Sequence, residues 1–160
     1  MRKEKLITII DDGNELMFKI KQMSAIKQER WINKVLILLS GGNLLSGIFA
    51  SMNKLSVNNV ASKFKNLNLE TLADMLGNLD YDKVEPLYNE LLECCSYIPD
   101  HNNTDFATPL NAKNADSVIG EVKTLYKLRM EALKINFSFF NTGAKSPNQK
   151  KADITITKHM

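Results

Sequence analysis

Residues 124–140 read TLYKLRMEALKINFSFF, a stretch that decides the fold because it predicts a strong helix of mostly good helix-forming residues. The helix ends in three aromatic residues, Phe137, Phe139 and Phe140, and the chain then becomes polar. Such an aromatic cluster must be covered, either by the protein's own core or by another chain. Clustered apolar area on a surface usually marks a contact site. From the sequence, both interpretations of the cluster stay open.

Several residues are candidates for contact with another protein. Three aromatics within four helical positions cannot all point in one direction, so we expect at least one to lie on a surface that contacts another chain, either a different protein or a second copy. Trp31 is the only tryptophan and follows Arg30. This pair is either a core tryptophan beside a surface arginine or a contact pair of the kind favoured at interfaces. The candidate protein contacts are Arg30, Trp31, Arg129, Phe137, Phe139 and Phe140.

The N-terminal part of the chain has the pattern of a β-hairpin. Residues 6–10 form the β-branched run LITII, and DDGN at 11–14 supplies residues that tolerate the positive φ angles of a tight turn. Leu16, Phe18 and Ile20 then recur at every second position, the period of a strand with one wet face. Because a lone hairpin is marginal in water, we expect its apolar face to pack on helices or on strands of other copies.

The chain after the hairpin is predicted to be helical. A helix from Ser24 to about Ser40 carries an apolar stripe too broad for a half-wet surface helix, so we expect it at the centre of the core. Gly41 and Gly42 are expected to end it. Several short helical segments follow between residues 43 and 95. The last of them is predicted to carry Cys94 and Cys95 as reduced thiols.

The C-terminal part is predicted as one long loop and one long helix. Residues 99–114 are rich in Asn, Asp, Thr and Pro and predict a loop. The last helix is expected to run from about residue 115 to 140, with Arg129 interrupting its apolar face. That face is predicted to consist of Val118, Val122, Leu125, Ala132 and Phe139. The predicted fold class is α+β, mostly α, with an N-terminal β-hairpin followed by a bundle of short helices and a long C-terminal helix.

Charge and length predict a single domain with a distinct tail. Residues 142–160 hold four lysines and one aspartate, so 4 − 1 = +3, the whole net charge of the chain. Residues 1–141 therefore balance to zero and are predicted to be one mainly helical domain without a basic footprint for nucleic acid. The polar, lysine-rich residues 142–160 are predicted to be disordered. No membrane contact is predicted, since the longest apolar run is far shorter than the ~20 residues of a span.

No motif in the chain indicates catalysis or a bound cofactor. His101 and His159 are not at ligand spacing from other metal-binding residue types, so no zinc site is predicted. Phosphate-binding and nucleophile-elbow glycine motifs are missing from the sequence. We therefore predict neither a cofactor nor a metal. The chain is predicted to be a binding or structural protein rather than an enzyme.

Three stretches together resemble the tail assembly chaperones of long-tailed bacteriophages. They are FKIKQMSAIKQERWI at 18–32, VEPLYNELLECC at 84–95, and the aromatic helix at 124–140. In the first, a strand leads into a tryptophan-containing aliphatic helix. The resemblance extends from about residue 6 to 140. It lies in the order of the predicted elements and in their residue patterns, because the family has no catalytic signature. The lysine-rich tail has no counterpart in it.

The resemblance implies a function and a partner. It implies a small, mainly helical chaperone of the host cytoplasm that coats the phage tape measure protein, keeps it soluble for tail tube assembly, and is absent from the mature virion. An unpaired hairpin edge would favour self-association, so a homo-oligomer is expected. Two alternatives stay open. One is a structural tail or tail-completion protein of the virion, and the other is a small phage protein that binds and inhibits a host factor.

Overall fold

The N-terminal hairpin forms where the sequence predicts it. A computed structural model describes residues 1–40 and 69–138 of the chain. Strand β1 (Glu4–Asp11) pairs antiparallel with β2 (Asn14–Lys21). The two turn residues Asp12 and Gly13 both have positive φ, as a tight two-residue hairpin turn requires. The predicted hairpin is therefore confirmed.

Four α-helices and one short 3₁₀ helix follow in the described residues. They are α1 (Ala25–Ser40), α2 (Leu69–Gly77), α3 (Tyr81–Leu92), the 3₁₀ turn Ala115–Ser117 and α4 (Val122–Phe137). The fold is mixed α+β and mostly helical, which confirms the predicted fold class. The predictions for Gly41, Gly42, the helical segments between 43 and 68, and the tail 142–160 fall outside the described residues.

Two further strands were not predicted. Strand β3 (Cys95–Ile98) pairs with β2, and the two-residue β4 (Thr108–Pro109) pairs with β3, which makes an antiparallel sheet of order β1-β2-β3-β4. The predicted placement of both cysteines on a helix is therefore wrong. Helix α3 ends at Leu92, and Cys95 lies opposite Ile20 in the sheet. A four-residue strand has almost no period of its own, and its partner comes from a distant part of the chain.

The last helix begins seven residues later than predicted, at Val122. Asp11, at the end of β1, accepts hydrogen bonds from the backbone N–H groups of Gly120 at 2.8 Å and Glu121 at 2.9 Å. It also accepts one from the hydroxyl of Thr124 at 2.6 Å. The two N–H groups belong to Glu121, the N-cap residue of α4, and to Gly120 just before it, whereas Thr124 lies in the first turn of the helix. A carboxylate from the hairpin therefore binds the residues at the start of α4.

The buried face of α4 matches the predicted one only in part. Ala132 is buried as expected, but Val122 is exposed. The residues buried at intervals of four are Thr124, Leu128, Ala132 and Asn136. This face packs on the sheet and on α3. The helical period was predicted correctly, but the buried face includes the polar residues Thr124 and Asn136, which find hydrogen-bond partners inside the protein.

Asn136 fastens the entry of α1 to the end of α4. Its side chain is buried, and its Oδ1 accepts a 2.7 Å hydrogen bond from the backbone N–H of Met23. Its Nδ2 donates to the carbonyl of Ala132 at 2.8 Å. Gln28 of α1 donates to the backbone carbonyl of Asn136 at 2.9 Å. A buried amide satisfied in this way fixes the relative placement of the two helices.

Candidate protein-contact surface

Two of the six predicted contact residues lie in the core. The side chains of Trp31 and Phe137 are 1% and 0% exposed. Their rings stack with centroids 4.9 Å apart, and the indole N–H of Trp31 donates to the carbonyl of Leu87 at 3.1 Å. This conformation leaves neither ring available to a partner, so we do not include them in a contact surface. Phe139 and Phe140 lie outside the described residues, and the expectation of an exposed aromatic now rests on those two.

The two predicted arginines lie on different parts of the surface. Arg30 is exposed on α1. Arg129 is half-buried on α4, and its guanidinium carbon lies 5.5 Å from the ring centroid of Tyr88 on α3. At this distance the cation is attracted to the face of the ring. The contact joins α3 to α4 at the protein surface.

Two further tyrosines, Tyr81 and Tyr126, lie near the contact between Arg129 and Tyr88. Tyr81 and Tyr88 lie on α3 at i, i+7 spacing, and Tyr126 lies on α4 three residues before Arg129. Tyr81 is 58% exposed and Tyr126 is 64% exposed. We call Tyr81, Tyr88, Tyr126 and Arg129 the tyrosine surface. Residues at these spacings share one face of their helix. The contact between Arg129 and Tyr88 then brings the two faces to the same side of the α3–α4 pair.

The four side chains also affect one another electrostatically. Burial raises the pKa of Tyr88 above its usual value, the nearby Arg129 guanidinium lowers it, and the neighbouring Tyr126 and Tyr81 raise it. The net shift is upward, so the Tyr88 hydroxyl stays protonated at neutral pH and can donate a hydrogen bond. The Nε of Arg129 is buried and finds no acceptor among the described residues. A buried donor without an acceptor lowers the stability of a protein, and such donors are uncommon in folded proteins.

The residue types of the tyrosine surface are typical of surfaces that bind other proteins. Tyrosine and arginine are enriched where proteins contact one another, because they combine apolar area with groups that hydrogen-bond at the rim. Arg129 was predicted from the sequence as a contact residue, whereas the three tyrosines were not. Their i, i+7 and i, i+3 spacings are visible in the sequence. However, which face of each helix is exposed depends on packing.

The two thiols are buried beneath the surface and are poor nucleophiles. Cys94 and Cys95 are buried and form no disulfide. Burial raises the pKa of Cys94 to about 11 and raises that of Cys95 further above its usual value. Both thiols are therefore protonated at neutral pH, and it is the thiolate that reacts.

Residues 1–40 and 69–138 contain no group of three or more His, Cys, Asp or Glu side chains that could hold a metal ion. Among these same residues, no helix combines the length and apolar character that crossing a bilayer requires.

The chain was compared with known proteins. A family model described as "Phage tail assembly chaperone protein, TAC" matches residues 14–146, which is 133 of the 160 residues. The match spans β2, all four helices and both halves of the tyrosine surface. No curated protein and no solved structure matches the chain.

Proposed function

We propose, because this chain belongs to the phage tail assembly chaperone family, that it binds the phage tape measure protein and keeps it soluble for tail tube assembly. Membership implies a non-enzymatic assembly factor that interacts with tail proteins. We place its action in the host cytoplasm and expect it to be absent from the mature virion. The observation that carries the proposal is the tyrosine surface, an aromatic and arginine-bearing patch on two rigid helices.

The tyrosine surface suits a long helical client. An amphipathic helix offers a stripe of apolar side chains, and an aromatic patch between two helices can receive several of them. Tyrosine loses little conformational entropy on binding, since it has only two rotatable side-chain bonds. Its hydroxyl can also pair with polar groups that border the apolar stripe of the client. The tyrosine surface could therefore bind the client at many similar positions along its helices.

Removing two exposed rings is expected to weaken client binding. We expect Tyr81→Ala combined with Tyr126→Ala to reduce affinity for the tape measure protein at least about tenfold, because truncation of a contact hot spot costs more than 1 kcal/mol. Both rings are mostly exposed, so the fold should be kept. Co-expression with the tape measure protein, followed by measurement of its soluble fraction and of the co-purified complex, checks this.

Phe106→Ala provides the matched control. Phe106 is 63% exposed but lies on the loop between β3 and β4 rather than on α3 or α4. The control should leave client solubility unchanged. The proposal is wrong if the wild-type protein forms no complex and leaves the client insoluble. Detection of the protein in purified virions would instead favour a structural tail component, and capture of a host protein would favour an inhibitor.

We also propose that the protein self-associates through β1. This strand has eight residues, lies at one end of the sheet order, and pairs only with β2 among the described strands. Leu6 and Ile10 project from it into solvent. A long edge strand with free backbone groups and exposed apolar side chains favours pairing with another strand. Copies joined in this way would suit an extended client.

A charge on the β1 edge is expected to lower the oligomeric state. We expect Ile10→Lys to shift the protein toward monomer, because lysine on an edge strand opposes strand addition. Ile26→Lys is the control, since Ile26 is 64% exposed on α1 against 56% for Ile10 on β1. Light scattering coupled to size exclusion measures the mass of each variant. A wild-type protein that is monomeric at all concentrations would refute self-association.

A further inference from the structure

A cavity of about 250 Å³ lies where β2 leads into α1, beside the C-terminal end of α3. Its walls include two carboxylates, from Glu90 and Glu93, and several cationic side chains. We call this cavity the basic groove. The cations that line it are Arg2, Lys21, Lys27, Arg30 and Lys34.

The basic groove concentrates charge that the rest of the domain lacks. Five cations and two carboxylates give 5 − 2 = +3 at the groove. Residues 1–141 hold 17 basic and 17 acidic side chains, so the remainder holds 12 basic and 15 acidic ones, or −3. A neutral domain is therefore strongly polarised, with its positive potential focused in a concave site.

Most of this positive charge is not neutralised within the described protein. Lys34 pairs with Glu90 at 2.7 Å, and Lys21 pairs with Glu4 at 3.3 Å. Arg2, Lys27 and Arg30 form no ion pair with any residue in 1–40 or 69–138. Like charges held close together are unfavourable unless an opposite charge offsets them. Three cations without an ion pair around one cavity, with Glu93 as the one carboxylate of its wall that is also outside these pairs, are the feature that calls for a ligand.

We infer that the basic groove binds the carboxylates of an acidic peptide segment of a partner protein. The cavity has the volume for one or two side chains, and arginine forms paired hydrogen bonds with a carboxylate. A nucleic-acid backbone fits poorly, because it needs a continuous basic track and would meet Glu90 and Glu93. In a peptide, the lysines or amide groups beside the carboxylates can pair with those glutamates.

The basic groove is separate from the tyrosine surface. Tyr88 and Glu90 are two residues apart on α3, which is about 200° around a helix with 3.6 residues per turn. A partner could therefore occupy both sites through different segments. The inference goes beyond the proposed function, since it holds for any protein that presents an acidic segment.

Binding of a model peptide to the full chain tests the inference. The probe is a helix-forming peptide of roughly 15 residues, a length at which isolated helices begin to be stable, with glutamates along one face and a neutral fluorophore. Its control has glutamine at each glutamate position. We expect the glutamate peptide alone to bind, with affinity that falls as salt is added. Lys27→Gln and Arg30→Gln should each weaken binding about two- to fivefold, as loss of an exposed ion pair does.

Two double variants that remove the same amount of charge distinguish specific binding at the basic groove from general electrostatic attraction to the protein. Lys27→Gln with Arg30→Gln is compared with Lys83→Gln and Lys113→Gln, which removes two exposed lysines outside the groove. Only the first pair should reduce affinity, and both should melt at the wild-type temperature. Equal losses in both pairs, or equal binding of the glutamine peptide, would overturn the inference. So would tighter groove-dependent binding of a single-stranded oligonucleotide. The tyrosine variants should keep full peptide affinity, so either proposal can fail without the other.

Discussion

Trp31→Ala is expected to lower the free energy of unfolding by about 3–5 kcal/mol, the usual cost of deleting a large buried aromatic side chain. The indole is 1% exposed, stacks on Phe137, and donates its N–H to the Leu87 carbonyl. Deletion leaves a cavity between α1 and α4 and removes the side-chain hydrogen bond that the indole makes to α3. For a chain of this size the melting temperature should fall by about 6–20 °C. Urea unfolding followed by far-UV circular dichroism measures the change.

An exposed aromatic residue provides the comparison for Trp31. Tyr126→Ala removes a ring that is mostly in solvent, and it should change the unfolding free energy by no more than about 0.5 kcal/mol. A loss below about 1 kcal/mol for Trp31→Ala would show that the indole is not a core residue. Because Trp31 is the only tryptophan, its fluorescence also reports on its surroundings. The emission of a buried indole should not move when a client binds to the tyrosine surface.

Asp11→Ala is expected to cost about 2–3 kcal/mol at neutral pH. The substitution removes one acceptor from three donors at once, the N–H groups of Gly120 and Glu121 and the hydroxyl of Thr124. Hydrogen bonds to a charged group contribute more than neutral ones, and the buried Thr124 hydroxyl would lose its partner. Urea unfolding at pH 7 measures the loss. Asp12→Asn is the control, since residue 12 is exposed and asparagine also tolerates its positive φ.

The contribution of Asp11 should also depend on pH. Burial raises the pKa of its carboxyl group, but the hydrogen bonds from Thr124, Gly120 and Glu121 outweigh burial and leave the pKa below its ordinary value of 3.8. A depressed folded-state pKa contributes stability that is complete above the unfolded value and is lost as pH falls through the folded value. The gap in unfolding free energy between wild type and Asp11→Asn should therefore narrow below about pH 4. A gap that stays constant down to pH 2 would contradict this assignment.

Local pattern by itself determined the parts of the fold that repeat over short distances. Alternation at Leu16, Phe18 and Ile20 and the turn at 11–14 were sufficient for the hairpin, because register and turn chemistry are set by neighbouring residues. The helical period was sufficient for α1 and for the body of α4. The family resemblance also rested on the order of these elements and on their residue patterns, and the family match at residues 14–146 confirms it.

Tertiary structure alone decided which faces are buried and which contacts form. Strand β3 exists because β2 supplies its partner. Helix α4 begins at Val122, directly after two N–H groups that Asp11, more than 100 residues earlier, holds by hydrogen bonds. The same packing turned Trp31 and Phe137 into core residues. It also left Tyr81 and Tyr126 on the surface and gathered the cations of the basic groove. The physical reason is that short-range periodicity sets the geometry of a helix or strand, whereas burial depends on partners that the chain brings together from a distance.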